Sequence, residues 1–240
     1  MTLALTLILP ANNEAAHIAP CLEAVLASEP LVHDAGVQII VVPNGCTDET
    51  ASIARGFLEQ AKARGWQLDV IELEQGSKLA ALNAGDAASK ASIVAYLDVD
   101  VVVGRHLLRQ TAEALSVQDA RYATGSVCLS KTRNLVTRAY GTFYLQTPFM
   151  KQNAPGCGFF AMNRQGRARW ATWPAIISDD TFARLNFAPD ERVQVPAPYE
   201  WPLVEGLRNL IRVRRRQNTG VDEMELKFPE LLVNEAKTAF

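Results

Sequence analysis

Residues 93–100 read IVAYLDVD and carry the strongest indication of the fold class. Its first five residues are apolar without a break, a pattern typical of a strand that is covered on both faces in a parallel sheet. Asp98 and Asp100 follow at once, so two carboxylates stand at the end of this strand. Ligands of open α/β sheets bind outside the carboxyl ends of the strands. Residues 93–100 therefore predict a parallel sheet with a binding site at this end.

Three strand-and-helix units precede that strand. The sequence predicts their strands at residues 3–9, 37–42 and 68–73. Apolar residues at helical spacing predict the helices that follow them, at residues 18–26, 53–65 and 77–89. This alternation favours a Rossmann-like three-layer α/β sandwich, with helices on both faces of a mostly parallel central sheet.

The second half of the chain is less regular. A helix is predicted near residues 106–115 and a strand at 122–129, before longer connections. Because no low-complexity linker divides the chain, we predict a single domain over residues 1–240. Its expected parts are a nucleotide-binding half, an acceptor half and a tail, at residues 1–103, 104–216 and 217–240.

Composition excludes several classes of protein. The 240 residues are 48% hydrophobic and carry 24 basic and 26 acidic side chains, which argues against disorder and against nucleic acid as the main partner. The four cysteines form no C-x-x-C pair, which favours free thiols in a reducing compartment. The apolar run at residues 3–9 is stopped by Pro10 and is too short to span a membrane. We therefore expect a cytoplasmic protein.

Polar segments follow the four predicted strands. In chain order they are PANNE (10–14), PNGCTDET (43–50), QGSKLAALNAG (75–85) and DVD (98–100). Carboxylates one residue apart, as in Asp98 and Asp100, can hold a hard divalent cation such as Mg²⁺ or Mn²⁺. From local pattern alone the alternatives are a strand-end turn with solvated carboxylates and, in the second segment, a turn that caps the next helix.

Together, the order and spacing of these four segments resemble the family 2 glycosyltransferases, and the resemblance covers residues 3–216. It implies a GT-A fold and an inverting, metal-dependent enzyme that moves a sugar from a UDP- or GDP-type nucleotide-sugar to a hydroxyl acceptor. The acceptor would be a saccharide or a lipid-linked molecule, used in surface polysaccharide or glycolipid assembly. Peripheral contact with the cytoplasmic membrane, or with a membrane protein, is a further expectation.

The resemblance also implies roles for particular residues. Those around the nucleotide would be Pro10, Asn12, Glu14, Asn44, Lys78 and Asp98. Asp100 would bind the Mg²⁺ or Mn²⁺ ion that bridges the diphosphate. Pro43 departs from the pattern, because many relatives carry an acidic residue there or next to it. Uridine and guanosine therefore both stay open as the base.

Further similarities lie in the second half. Residues 156–161, GCGFFA, resemble the glycine-containing acceptor segment of the family, and Gly158 belongs to it. Asp179 and Asp180 resemble the acidic pair, in which Asp180 matches the general base. An acceptor hydroxyl is a poor nucleophile, so a carboxylate is needed to take its proton. From the local pattern alone, the alternative is that this pair caps the helix that follows.

Basic and apolar residues alternate near the end of the resemblance. Three arginines resemble the basic segment that relatives place near the diphosphate, Arg214, Arg215 and Arg216. The aromatic residue that relatives carry after this run is absent. An apolar stripe within residues 203–211 predicts core or an interface, and the arginines beside it can face solvent or an anionic membrane. A second stripe at residues 134–150 predicts core, with a lipid or acceptor surface as the alternative.

Two alternatives come from other classes. Residues 94–101 resemble the nucleophile strand of haloacid-dehalogenase-type phosphatases, in which Asp98 would be phosphorylated and Asp100 would be the acid. The other motifs of that family would fall on Thr124 or Ser126, Lys131 or Lys151, and the aspartates 179 and 180. That strand normally comes near the start of the phosphatase fold, whereas three units precede it here. The second alternative is a glycosyltransferase-like module that binds a nucleotide or a partner without turnover.

Overall fold

The computed structural model describes residues 3–152 and 154–235. Its strands are β1 (Leu3–Ala11), β2 (Gly36–Pro43), β3 (Gln67–Val70), β4 (Ile93–Leu97), β5 (Val102–Val103), β6 (Tyr122–Leu129), β7 (Phe159–Asn163) and β8 (Arg192–Trp201). Its helices are α1 (Ile18–Leu26), α2 (Thr50–Arg55), α3 (Leu58–Ala63), α4 (Lys78–Ala88), α5 (Leu107–Leu115), α6 (Leu135–Tyr144), α7 (Pro148–Gln152), α8 (Arg164–Arg167), α9 (Asp179–Leu185) and α10 (Leu207–Lys227). Short 3₁₀ turns lie at Val32–Asp34, Pro189–Glu191 and Pro229–Asn234.

The strands form one sheet in the order β3-β2-β1-β4-β7-β6-β8-β5. β1 is parallel to both β2 and β4, and β2 is parallel to β3. β7 runs antiparallel to β4 and β6, β6 is parallel to β8, and β5 pairs antiparallel with β8. The chain leaves β1 toward β2 and later returns to its other side as β4, so the strand order reverses between β1 and β4. Open α/β sheets bind ligands at such a reversal.

Helices cover both faces of the sheet. Leu5, Leu7 and Leu9 of β1 pack in a cluster with α1, α2, α3 and α5, whereas Ile8 packs in a second cluster with α4, α9 and α10. Alternate residues of a strand point to opposite faces, which explains this division. The predicted three-layer α/β sandwich with a mostly parallel sheet is therefore confirmed.

Three predicted boundaries differ from the structure. The predicted helix at residues 53–65 is divided into α2 and α3 at Gly56, because a glycine inside a helix weakens it. The predicted third strand ends earlier, at Val70. The predicted start of the tail, at residue 217, falls inside α10, and the described part of the chain beyond it packs on the domain. Met224 is buried, and the Phe228 ring lies 5.1 Å from that of Phe182.

The stripe at residues 134–150 does not face the core along the outer side of α6, whereas Tyr144 and Phe149 are half-buried. Leu135 and Phe143 of α6 are 68% and 70% exposed, and the buried side of this helix carries Thr137 and Gly141 instead. Small residues stand there because the segment before α10 approaches closely: the Gly206 amide donates to Thr137 Oγ1 at 3.0 Å. In the stripe of α10, Leu210 is buried but its apolar neighbours Leu207 and Ile211 are exposed. Within the described residues, no helix has both the length and the apolar character needed to cross a membrane.

Candidate active site

A cavity of about 620 Å³ opens where the strand order reverses. Pro10 at the end of β1 and Asp98 after β4 form its floor together with Lys78, and the start of α9 and one side of α10 form further walls. This volume is in the range of sites for small molecules, which run from about 300 to 1,000 Å³. The cavity therefore lies where the sheet topology places a ligand.

Lys78 joins two carboxylates at the base of the cavity. Its Nζ lies 2.9 Å from Asp98 Oδ1 and 3.1 Å from Asp179 Oδ2. Ser77 starts α4 by accepting a hydrogen bond from the Ala80 amide, which brings Lys78 to this end of the helix. Burial lowers the pKa of Lys78, but Asp179 and Asp98 outweigh it and hold the pKa well above its ordinary value. Lys78 therefore stays positively charged and connects α9 with the end of β4.

Asp180 lines the cavity next to this ion-pair network. Its carboxylate accepts a hydrogen bond of 2.7 Å from the Thr181 amide in the first turn of α9. Burial, and then the negative charge of Asp179, raise the pKa of Asp180 to about 6, although Lys78 opposes them. A carboxylate with this pKa is ionised at neutral pH and is a stronger base than an ordinary aspartate.

Gly158 positions Asp98 through the backbone. Its carbonyl accepts a hydrogen bond of 2.8 Å from the Asp98 amide, and its φ is +72°, a conformation that favours glycine. A Cβ at this position would lie 2.6 Å from Val101 Cγ2. Gly158 also lines the cavity, so a larger residue would disturb both the cavity wall and the carboxylate behind it.

Apart from Pro10, the first two polar segments form a rim outside the cavity wall. Asn12 donates from Nδ2 to the Asn44 carbonyl at 2.5 Å, and Glu14 Oε2 contacts His17 Nδ1 at 2.8 Å. Asn44 is 3% exposed, and its amide group donates to the Ala11 carbonyl and accepts from the Ser77 amide. The Asn44 side chain is therefore committed to holding these loops together and is not open to a nucleotide.

Asp100 stands at the same rim and outside the cavity wall. Val99 and Val101 are buried, and Asp100 is exposed between them. Loss of hydration, and then the charges of Asp98 and Glu14, raise the pKa of Asp100 to about 6. Three carboxylates thus share this rim, and the nearby His17 opposes the rise in the pKa of Asp100 without cancelling it.

These carboxylates suit a hard cation that arrives with its substrate. Among residues 3–152 and 154–235, no three His, Cys, Asp or Glu side chains are arranged to hold a metal ion by themselves. Mg²⁺ is commonly bound by one or two carboxylates and completes its shell with substrate phosphates and water. An exposed Asp100 next to Asp98 fits that mode of binding.

The three arginines of α10 do not act as a group. Arg214 and Arg216 line the cavity, whereas Arg215 is exposed and lies outside its lining. Arg214 donates to Gln217 Oε1 at 2.9 Å, and its guanidinium carbon lies 5.8 Å from the centre of the Tyr144 ring. The helix turns by about 100° per residue, so the three arginines leave the helix in three different directions.

Two residues that line the cavity, Arg184 and Glu235, are not predicted from the sequence. Arg184 is 1% exposed, lines the cavity and pairs with Glu235 at 2.7 Å, and it lies 5.2 Å from the Phe149 ring centre. It follows Asp180 by four residues, so helical spacing could have identified it. Nothing in the local sequence indicates that Glu235 reaches the same place.

Solved structures define the class of fold. PcManGT, a mannosyltransferase from Pyrobaculum calidifontis in complex with GDP-Man and Mn²⁺, has a TM-score of 0.70 at 18% identity, over all of this chain and 66% of that one. TarS 1-349 of S. aureus, in complex with UDP-GlcNAc, has a TM-score of 0.64 at 14% identity, over 93% and 67% of the two chains. Glucosyl-3-phosphoglycerate synthase of Mycobacterium tuberculosis, with Mn²⁺, UDP and its product, has 0.59 at 21%, over 93% and 79%. The architecture is therefore the GT-A fold.

Sequence comparison then gives the family. Residues 6–181 match Glycosyl transferase family 2, and this chain belongs to that family of sugar-transferring enzymes. Glycosyltransferase AglE of Haloferax volcanii is 32% identical over 122 residues, which are 51% of this chain and 38% of that protein. The uncharacterized glycosyltransferase alr2836 of Nostoc sp. is 28% identical over 115 residues, 48% and 34% of the two chains. This chain thus spans about a third of the length of the curated relatives it matches.

The family match decides against the phosphatase alternative. The structure agrees, because the residues that would complete the phosphatase motifs are engaged elsewhere. Thr124 and Ser126 donate to the carbonyls of Phe159 and Val195. Both candidate lysines, 131 and 151, are exposed and lie outside the cavity lining.

Proposed function

We propose that this chain transfers a sugar from a nucleoside diphosphate donor to a hydroxyl group of an acceptor, with inversion at the anomeric carbon. The observation that carries the proposal is the Asp180 carboxylate, which lines the cavity and has a pKa near 6. Asp179 and Lys78 connect it to Asp98 at the end of β4. The proposed base, Asp180, and the end of β4, where we expect the donor to bind, therefore belong to one network of charged side chains.

We assign the donor to the ends of β1 and β4. Inside the cavity, the nucleotide would contact Pro10, Lys78 and Asp98. At the rim, it would contact Asn12 and Glu14. Asn44 would act indirectly, by holding the two loops of that rim. Pro43, at the end of β2, has no acidic side chain to offer to the base, so the donor panel must distinguish uridine from guanosine.

The chemical step follows from the position of Asp180. Its carboxylate takes the proton of the acceptor hydroxyl as the oxygen attacks the anomeric carbon from the side opposite the diphosphate. The new bond joins that oxygen to the anomeric carbon, and the bond from this carbon to the diphosphate oxygen breaks. Attack from the opposite side inverts the anomeric centre. Arg214 and Arg216 supply positive charge at the cavity for the departing phosphates.

Asp100 is the residue that we assign to the metal ion. A bound Mg²⁺ or Mn²⁺ neutralises charge on the diphosphate leaving group. Asp98 and Glu14 add negative charge beside Asp100, which strengthens the attraction for a divalent cation. The Mn²⁺ in two of the similar structures supports the use of a divalent ion, and the choice of Asp100 rests on its position beside Asp98.

We further propose that residues 1–240 act as one domain, with the donor half at 1–103 and the acceptor half at 104–216. The four cysteines are free thiols, which supports a place in the reducing cytoplasm. A hydroxyl acceptor in surface polysaccharide or glycolipid assembly fits this location. The non-catalytic module is the competing proposal, and turnover distinguishes the two.

The first test is binding and turnover with a panel of donors. We expect UDP, GDP or their sugar conjugates to raise the melting temperature, because a ligand that binds only the native state stabilises it. We also expect slow release of nucleoside diphosphate from the matching donor when Mn²⁺ is added. Binding without any release or transfer favours the non-catalytic module, and no binding to any nucleotide contradicts both.

Replacing Asp100 with asparagine should remove the metal dependence of donor binding. The substitution keeps the size of the side chain and removes the charge that we assign to the cation. The thermal shift with nucleotide should then be the same with and without Mn²⁺. Asp190→Asn, at an exposed carboxylate far along the chain, is the matched control and should keep the dependence. If Mn²⁺ increases the thermal shift of Asp100→Asn as much as that of the wild type, Asp100 does not bind the metal ion.

Turnover should fall at acid pH. Asp180 must be ionised to act as a base, and its pKa is about 6. We expect kcat to lose about tenfold per pH unit below pH 6, as one proton is added to the base. The charges that act on the pKa of Asp180, and so on the pH at which turnover falls, are those of Asp179, Lys78 and Asp98. A pH–rate profile that stays flat down to pH 5 would contradict the assignment of Asp180.

A further inference from the structure

We propose that α6 and the first half of α10 form a surface that docks on an anionic lipid bilayer. The surface, called the α6–α10 face, has an apolar part and a basic part. Its apolar side chains are Leu135, Val136, Phe143, Leu207 and Ile211, and its arginines are Arg138, Arg208, Arg212 and Arg215. Only one part of this inference rests on the proposed function, namely that the acceptor of the sugar is carried by a lipid.

The two helices lie side by side. The Gly206 amide, just before α10, donates to Thr137 in the first turn of α6. Farther along, the guanidinium of Arg214 lies 5.8 Å from the Tyr144 ring at the end of α6. α6 therefore turns Thr137 and Tyr144 toward the start of α10 and toward Arg214. The large apolar side chains of Leu135, Phe143 and Leu207 stay outside.

The exposed apolar residues of this face are large and lie close together. Phe143, Leu135 and Leu207 are 70%, 68% and 60% exposed. Leu135, Ala139 and Phe143 are spaced by four residues, so they form one stripe on the outside of α6. A helix whose apolar side faces away from its own domain needs another apolar environment.

The charge of this region selects the environment. Residues 129–152 and 203–216 hold nine of the 24 basic side chains of the chain and one of its 26 acidic side chains. None of these nine basic residues forms an ion pair with a carboxylate in the part of the chain that the structure describes. Cations beside exposed apolar side chains are the pattern of a helix that lies in the interface of an anionic membrane. A soluble polyanion would use the cations and leave the apolar stripe in water.

The same helices also form a wall of the cavity. Tyr144 at the end of α6, and Val213 and Arg214 of α10, line it. A bilayer bound at the α6–α10 face would therefore lie beside the cavity. An acceptor with a lipid anchor could present its hydroxyl to Asp180 without leaving the membrane.

Binding to lipid vesicles tests the inference. The full chain is mixed with vesicles of phosphatidylcholine alone, or with about a third phosphatidylglycerol, and the bound fraction is measured by flotation. We expect binding to the anionic vesicles that weakens in high salt, since screening shortens the reach of surface charges. Absence of binding to anionic vesicles, or equal binding to neutral ones, overturns the proposal.

Two pairs of variants separate the apolar and basic contributions. The double variant Phe143→Ser/Leu207→Ser should reduce the affinity for anionic vesicles by about tenfold or more, because two large apolar side chains no longer enter the bilayer. Arg208→Gln and Arg212→Gln should each reduce it by about fivefold. The matched controls are Leu226→Ser, which is 83% exposed on α10 beyond this face, and Lys90→Gln, an exposed lysine elsewhere. Unchanged affinity in the serine variant would show binding by charge alone and would overturn the proposal.

The outcome is independent of catalysis. Vesicle binding needs no donor, metal ion or acceptor, so a failed transfer assay leaves it intact. The variants avoid the cavity lining and should melt at the wild-type temperature and bind the donor nucleotide as the wild type does. Loss of vesicle binding with normal nucleotide binding is the expected result. Loss of both would show that the variant disturbs the fold. The single variant Phe143→Ser is then measured, and unchanged vesicle binding in a folded Phe143→Ser protein would overturn the proposal.

Discussion

Asparagine in place of Asp180 should lower the rate of sugar transfer by about 10²–10⁴-fold, the range for loss of a general base. The side chain keeps its shape, and its amide oxygen can still accept the hydrogen bond from the Thr181 amide. Donor binding should therefore be nearly unchanged. The measurement is kcat with saturating donor, together with the thermal shift produced by the nucleotide.

The same substitution should leave the protein as stable as the wild type or more stable. Burial raises the pKa of Asp180 from 3.8 to about 6, so the native state disfavours its ionised form. A raised native pKa means that stability falls as the pH rises from about 4 to 6. Asparagine does not ionise, so the stability of the variant does not fall in this way as the pH rises. The difference in melting temperature between variant and wild type should grow from pH 4 to pH 7.

Asp119→Asn, at an exposed carboxylate outside the cavity lining, is the matched control and should change neither activity nor this pH dependence. Wild-type activity in Asp180→Asn would remove this residue as the base. A lower melting temperature at every pH would show that its carboxylate supports the fold instead.

Lys78→Met should produce the second large effect, a loss of activity at neutral pH that is partly reversed in alkali. Lys78 is the positive charge that lowers the pKa of Asp180, and without it that pKa must rise. At pH 7 more of the base is then protonated. The acid limb of the pH–rate profile should move upward from about pH 6, and activity should recover toward pH 9.

The melting temperature of Lys78→Met should also fall. Asp98 and Asp179 lose the ammonium group that lies within 3.1 Å of both, and Asp179 is 6% exposed. A buried carboxylate without its partner is costly. Lys90→Met, at an exposed lysine just after α4, is the control and should change neither property. An acid limb that stays at pH 6 in Lys78→Met would show that Lys78 does not tune the base.

Local sequence was sufficient to predict the first half of the fold. The predicted strand at residues 93–97 has the bounds of β4, and the helix predicted near Ser77 begins at Lys78. These elements are determined by apolar periodicity and capping, which act over a few residues. The same segments carried the family resemblance, because its motifs directly follow the strands.

Long-range contacts determine what the site contains. Lys78 was predicted as a nucleotide residue, but no local pattern indicates that it also pairs with Asp179, which is about a hundred residues away in the chain. Arg184 and Glu235 reach the cavity because α9 packs against the 3₁₀ turn at Pro229–Asn234. Side chains far apart in sequence meet only when the sheet order and the helix packing are known.

The amino-acid sequence by itself determined the α/β architecture, the family and the identity of Asp98, Asp100 and Asp180 as candidates. The tertiary structure decided which of these line the cavity, that Asn44 is committed to the loops, and that the stripe on α6 faces outward. The physical reason is that a helical stripe of apolar residues states only that one side is apolar. Which side meets the domain depends on the neighbour that packs there, and for α6 it is the close approach of Gly206 to Thr137.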